Sequence, residues 1–198
     1  MTTTRPPLIS RYTYRAHVNF ELLNGAFFSI MSFKEVIARK TLHATDWQIA
    51  ILASAVHGFF IFGFIVSRLM EGRPKKPFIL FSAYIGRAVL LLILFTTSPF
   101  YFILVCCISF FAEMVFHPAW TSVMQSNYHP DWQGRLNGKV VAYTSAASMV
   151  TALIVGWWLD KDPHSYQLIF PLAGMIGLLS YIKASKIKVR KARTPYYS

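Results

Sequence analysis

Acidic residues are scarce in this chain. Eight Asp and Glu stand against twenty Lys and Arg in 198 residues, and charged side chains make up only 14% of the whole. Soluble domains carry about 25%. So few ionisable groups cannot coat a core of this size, which excludes an ordinary soluble enzyme. A hydrophobic content of 55% and a mean hydropathy of +0.42 exclude a disordered chain. Cysteine is nearly absent. Cys106 and Cys107 lie side by side in an apolar run, so neither a disulfide framework nor zinc-ligand spacing exists. The six His are scattered, and there is no phosphate-binding loop, dinucleotide glycine pattern or His-Glu-x-x-His. No enzymatic activity, metal or cofactor is expected from such a chain. Met1 to Arg15 has no apolar stretch ahead of a small-residue cleavage site, so no cleavable signal peptide is expected.

What the chain has instead is apolar length. A membrane-spanning helix needs about 20 mostly apolar residues. Six segments qualify: 20–40, the most polar, then 47–69, 78–97, 100–123, 138–159 and 166–184. Unpaired backbone groups are costly in lipid, so these segments must be helices. Turn chemistry marks the breaks, with Pro74 and Pro77, Ser98-Pro99, Pro130 and Asp162-Pro163 between successive segments. The expected fold is an all-α membrane protein with six transmembrane helices. Residues 1–16 precede this domain, 17–184 form it, and 185–198 are a basic tail. Cations collect on one side. The amino-terminal segment, the 68–76 loop, Arg135, Lys139 and the region from Lys183 to Arg193 hold fifteen, against four at Lys34, Arg39, Lys40 and Lys161. By the positive-inside tendency both termini are expected in the cytoplasm, with the chain multi-pass in the cell (inner, cytoplasmic) membrane. The net charge of +12 therefore reflects a lipid bilayer beside basic loops, and no nucleic-acid partner is expected.

Polar groups at membrane depth are costly and usually face a cavity or a partner. In segment one Glu21, Asn24, Ser32 and Glu35 share one helical strip, with Gly25 and Phe28 beside them. Glu21 could equally sit among headgroups, and Glu35 could pair with Arg39 at i, i+4. In segment four Cys106, Ser109, Glu113, His117 and Trp120 share a face. Glu113 and His117 are four apart, so a carboxylate and an imidazole can exchange a proton or bind a cation there. The alternative is a buried polar pair that locks helix four to a neighbour. His57 reads as a packing residue of segment two. Arg87, midway along segment three, needs a carboxylate, and Glu113 is a candidate. Ser145, Ser148, Thr151 and Ala152 in segment five suit close helix packing.

Six helices with a basic loop between the second and third resemble the amino-terminal half of a major facilitator superfamily transporter. The family's loop signature runs G-x-x-x-D-R-x-G-x-R-R. Here Gly63, Arg68, Gly72, Arg73, Lys75 and Lys76 match in order. Ser67 stands where the family has Asp, and two residues are inserted before Gly72; Glu71 is the nearest carboxylate that could substitute. A second likeness is His117-Pro118-Ala119-Trp120 followed by Pro130, Arg135 and Gly138, while the family's helix-four Arg motif is missing. The resemblance implies two three-helix inverted repeats, helices one and four lining a cavity, and a second six-helix half on the same or a separate chain. It implies secondary transport of a small solute, with protons as a candidate coupling ion. Asn24, Glu113, His117, Glu21 and Ser109 are then the expected cavity residues, and Gly63, Ser67, Arg68, Gly72, Arg73, Lys75 and Lys76 the cytoplasmic gate loop. Members run to about twice this length, so a fragment or half of a twelve-helix transporter is the leading expectation. The alternative from another class is a non-transporting membrane scaffold or assembly protein.

Overall fold

A computed structural model describes residues 7–187. Arg5 and the cations from Lys188 onward, which entered the charge count, lie outside the described residues. Among the described residues every regular element is a helix. Helix α1 runs Leu8–Met31 and α2 Lys34–Lys40. Five helices long and apolar enough to cross a membrane follow: α3 (Asp46–Leu69), α4 (Lys76–Phe95), α5 (Pro99–Asn127), α6 (Pro130–Lys161) and α7 (Pro163–Ser185). These five are what an all-α membrane protein requires.

Local chemistry sets the ends. Thr45 accepts from the Gln48 amide at 3.4 Å while the Gln48 side chain accepts from the Thr45 amide at 2.9 Å, a reciprocal cap that starts α3. Proline opens α5 and α6 within their first turn, where its missing N–H costs nothing. Two expectations change at the front of the chain. The first helix begins at Leu8, not Phe20, because a helix can carry Arg11 and Arg15 outside any apolar window. It also breaks at Ser32–Phe33, so Glu21 and Glu35 do not share one helix. Glu35 pairs with Lys34 at 3.1 Å and Arg39 with Asp46 at 2.6 Å. The alternative Glu35–Arg39 pair is not formed, because the chain turns back after α2 and brings Asp46 within Arg39's reach.

The helix partnerships are α1 with α6 and α7, α7 with α4, α4 with α5, and α5 with α3. Helix α5 is central: 61% of its most apolar window is buried, against 11% for α3 and α6. Their outward rows, such as Ile61, Phe64 and Ile65 on α3 and Leu153, Ile154 and Trp157 on α6, are exposed. Contiguous exposed apolar surface of this kind marks a face that meets something other than water. His57 is on the exposed side of α3 and is not the packing residue expected. The α1–α6 seam is tight. A Cβ at Gly25 would lie 2.8 Å from the Thr144 carbonyl oxygen. Ser148 donates to the Gly25 carbonyl at 2.9 Å, and Ser29 to the Ser148 carbonyl at 2.8 Å. Small residues here let two backbones approach and hydrogen-bond.

Two apolar clusters fill the interior. One holds Phe27, Met31, Leu90, Phe102 and Phe110; the other holds Phe20, Ala83, Met114, Phe116 and Ala184. Residues 24, 87 and 113 fall in sequence between members of the two clusters on their own helices. The polar centre is therefore sandwiched at mid-depth.

Candidate functional site

The centre is an ion pair. Arg87 on α4 is fully buried and pairs with Glu113 on α5, 2% exposed, at 2.5 Å. Its Nη2 also donates to Asn24 Oδ1 on α1 at 3.1 Å and to the Tyr181 hydroxyl on α7 at 2.7 Å. Tyr181 in turn donates to the Glu113 carboxylate, 2.7 and 2.8 Å from its two oxygens. Four helices thus meet at one guanidinium. Arg87 Nε and Nη1 have no acceptor among the described residues. The guanidinium carbon instead lies 3.3 Å from the centroid of the Phe27 ring and 4.4 Å from that of Tyr181, so aromatic faces take the place of acceptors. Gly177 makes the space: a Cβ there would sit 2.8 Å from Arg87 Cδ and 2.9 Å from Phe27 Cδ2. Arg87 ends a π-helical turn, Ser82–Arg87, a local widening often found at functional positions.

Two grooves flank α5 outside this pair. The first, about 340 Å³, lies between α1, α5 and α6. Its polar wall holds His17, Glu21, Gln125, Gln133, Asn137 and Thr144. His17 Nδ1 is 2.9 Å from the Tyr128 hydroxyl, and its Nε2 is 3.6 Å from Glu21. Burial pushes the Tyr128 phenol above its ordinary value, with Tyr14 and Glu21 adding to the effect. The protonated phenol and His17 Nδ1 share one hydrogen bond, and His17 Nε2 faces Glu21. The second groove, about 500 Å³, lies between α3 and α5 and is lined by Gly63, Ser67, Glu71, Lys75 and His117 among others. Thr121 and Gln125 border both grooves.

Between the first groove and the ion pair stands an aromatic column. Trp120 is 4.4 Å from Phe20 and 5.7 Å from Phe116 between ring centroids, and Phe116 stacks on Tyr181 at 3.9 Å. These rings keep the groove's water side away from Arg87.

The five expected cavity residues therefore occupy different places. Asn24 and Glu113 are brought together, through Arg87. His117 Nε2 is 3.9 Å from Glu113 Oε2, and its side chain, 49% exposed, opens to the second groove. Ser109 is buried, its hydroxyl without a partner among the described residues. Glu21 lines the first groove. Of the loop residues, Gly63, Ser67 and Lys75 reach the second groove, where Lys75 Nζ donates to the Met70 carbonyl at 2.5 Å. Arg68, Gly72, Arg73 and Lys76 are exposed beyond it. Gly72 has φ +68°, the left-handed turn that glycine permits. Three contributors escaped the sequence reading: Tyr181, His17 and Tyr128. His17 and Glu21 are four apart, the same spacing that singled out Glu113 and His117. No group of three or more metal-ligating side chains occurs among the described residues. Comparison with family models, curated proteins and solved structures gives no match to this chain.

Proposed function

We propose that the chain is a six-spanning half of a secondary transporter of the major facilitator type. It moves a small solute across the cell membrane together with a second six-helix half. The single observation that carries this reading is the first groove: an open cleft of mixed lining, with Glu21, His17, Gln125, Gln133 and Asn137 set among apolar side chains, beside a buried ion pair. An open cleft with polar groups among membrane-length helices fits a solute path. A second support is the pattern of helix partnerships. With α1–α2 counted as the first rod and α3 to α7 as the rest, exchanging rods one, two and three for four, five and six maps the pairings onto one another. One–five becomes four–two, one–six becomes four–three, and three–six becomes itself. That is the pattern expected of two inverted three-helix repeats.

In this reading Glu113 is the proton site and His117 its contact with the second groove. A proton passing from His117 Nε2 to Glu113 neutralises the carboxylate and releases its hold on Arg87. Asn24 and Tyr181 keep their bonds to Arg87 Nη2 meanwhile. Gly63, Ser67, Arg68, Gly72, Arg73, Lys75 and Lys76 form the cytoplasmic gate loop, with both termini on that side. The test is counterflow in proteoliposomes, at protein densities that favour pairs. Three labelled probes are used: phenethylammonium, 3-phenylpropionate and 2-phenylethanol. Counterflow of at least one probe above protein-free liposomes is expected. Glu113→Gln should remove its pH dependence. Absence of flux for all three with folded protein would contradict transport.

A second reading has a specific support. Asn24, Ser109 and Glu113 are buried in helix contacts, as in a non-transporting scaffold whose polar groups only lock helices together. That reading leaves the open groove without a purpose and expects no probe flux.

A further inference from the structure

We infer that the groove between α1, α5 and α6 binds a small organic cation, a protonated amine carrying an apolar tail. The inference rests on the transport reading and names the charge class of its solute. The first observation is charge. The chain has twenty Lys and Arg against eight Asp and Glu, yet no Lys or Arg lines this groove, and its one acidic side chain is Glu21. A cavity that excludes cations in so basic a protein has selected its sign. The local potential in a partly dry cleft is set by the charges at its wall, here the Glu21 carboxylate with the His17 imidazole 3.6 Å from it, so the wall is negative when His17 is neutral and is never net positive.

The second observation is an excess of acceptors. The Thr144 hydroxyl donates to the Val140 carbonyl at 3.0 Å, so its lone pairs remain for a ligand. Asn137 lines the groove, and its Oδ1, closed off from solvent and without a donor among the described residues, meets a ligand on turning its amide toward the groove. Glu21 offers two oxygens, and its nearest basic atom, His17 Nε2, stands 3.6 Å away, beyond hydrogen-bond reach. An unpartnered buried acceptor is costly until a donor reaches it. An ammonium group brings three donors and a positive charge. An anion brings neither.

The third observation is the floor. Trp120 and Met124 line the groove beside these acceptors. An indole receives either the cation or an aromatic tail, and a thioether packs against either. The volume, about 340 Å³, is at the small end of ligand cavities, which run from about 300 to 1,000 Å³.

The test is calorimetric titration of the full chain in zwitterionic nanodiscs. The probes share one shape and differ in charge: phenethylammonium, 2-phenylethanol and 3-phenylpropionate. Phenethylammonium should bind roughly tenfold or more tightly than either of the others, a difference of about 1.4 kcal/mol or more. Glu21→Gln should remove that preference. Ser145→Lys, at an exposed position on the groove rim, places a cation there and should turn the preference toward phenylpropionate, which keeps the inference testable should E21Q fail to fold. Equal binding of the three probes, no binding of the ammonium, or an unchanged preference in both variants would overturn it. Preference for the anion in the unaltered chain would overturn the cation inference and leave transport standing. Loss of counterflow for every probe would instead remove the transport reading.

Discussion

The ion pair at Arg87–Glu113 and the groove at His17–Glu21 use the same materials differently. Each joins one carboxylate to one basic side chain and one phenol, and each contains a polar side chain of α1 and a residue at or near α5. At Arg87 every member is buried and the hydrogen bonds converge on one guanidinium. At Glu21 the carboxylate is partly exposed, the imidazole is 3.6 Å away, and Asn137 Oδ1 on α6 has no donor among the described residues. The lesson is that a polar side chain in an apolar helix says little by itself. What its partners leave open decides what it can do: Glu113 meets a groove only through His117, whereas Glu21 lines one directly. An aromatic column of Phe20, Phe116 and Trp120 makes that difference, because it seals one region from the other.

The contrast can be broken by mutation, and the largest effect belongs to the ion pair. Removing one partner strands a buried charge, so Arg87→Ala or Glu113→Ala should cost about 3–5 kcal/mol, read as a fall in thermal unfolding temperature in detergent. Gly177→Ala comes next. Its methyl meets Arg87 and Phe27 at under 3 Å, and overpacking of this kind costs about 1–3 kcal/mol. Tyr181→Phe removes the donor to Glu113 and one acceptor of Arg87, worth about 1–3 kcal/mol. In the groove the same measurement should move less than at the ion pair: Ser145→Lys, whose ammonium faces the open groove, should cost less than Arg87→Ala or Glu113→Ala while changing ligand preference. Equal destabilisation at both regions would erase the distinction.

The smallest effect sharpens the groove's chemistry. The Tyr128 phenol is raised above its ordinary value of 10.0 by burial, then by Tyr14 and Glu21. A group whose folded value is raised contributes stability that is fully present below its unfolded value and is lost as pH climbs through the folded one. Thermal stability should therefore decline above about pH 10, and Tyr128→Phe should flatten that decline. An alkaline limb unchanged in Tyr128→Phe would remove the phenol from the account.

Much of this was legible in the residues. The apolar windows located five helices to within a few residues at most ends, because Pro74, Pro99, Pro130 and Pro163 punctuate them. The spacing of Glu113 and His117 and the isolation of Arg87 both pointed to the centre, since a lone intramembrane charge demands a partner. Tyr181 was hidden because an aromatic in an apolar helix reads as a lipid anchor until Gly177 beneath it reveals the close approach. His17 was hidden because it precedes the apolar window, although it stands one turn before Glu21. The break at Ser32–Phe33 carries neither proline nor glycine. The groove wall on α6, Gln133 and Asn137, lies ahead of the apolar stretch of that helix and is joined to α1 only by tertiary packing.

The most direct measurement of the central claim is labelling of single cysteines by a membrane-impermeant thiol reagent, in membranes, after Cys106 and Cys107 are replaced by alanine. Cysteine at Ser145, in the groove, should label rapidly and be protected by phenethylammonium, while cysteine at Ser109, beside the sealed ion pair, should not label. Equal labelling of the two positions, or none at Ser145, would contradict the separation of a dry centre from an open groove.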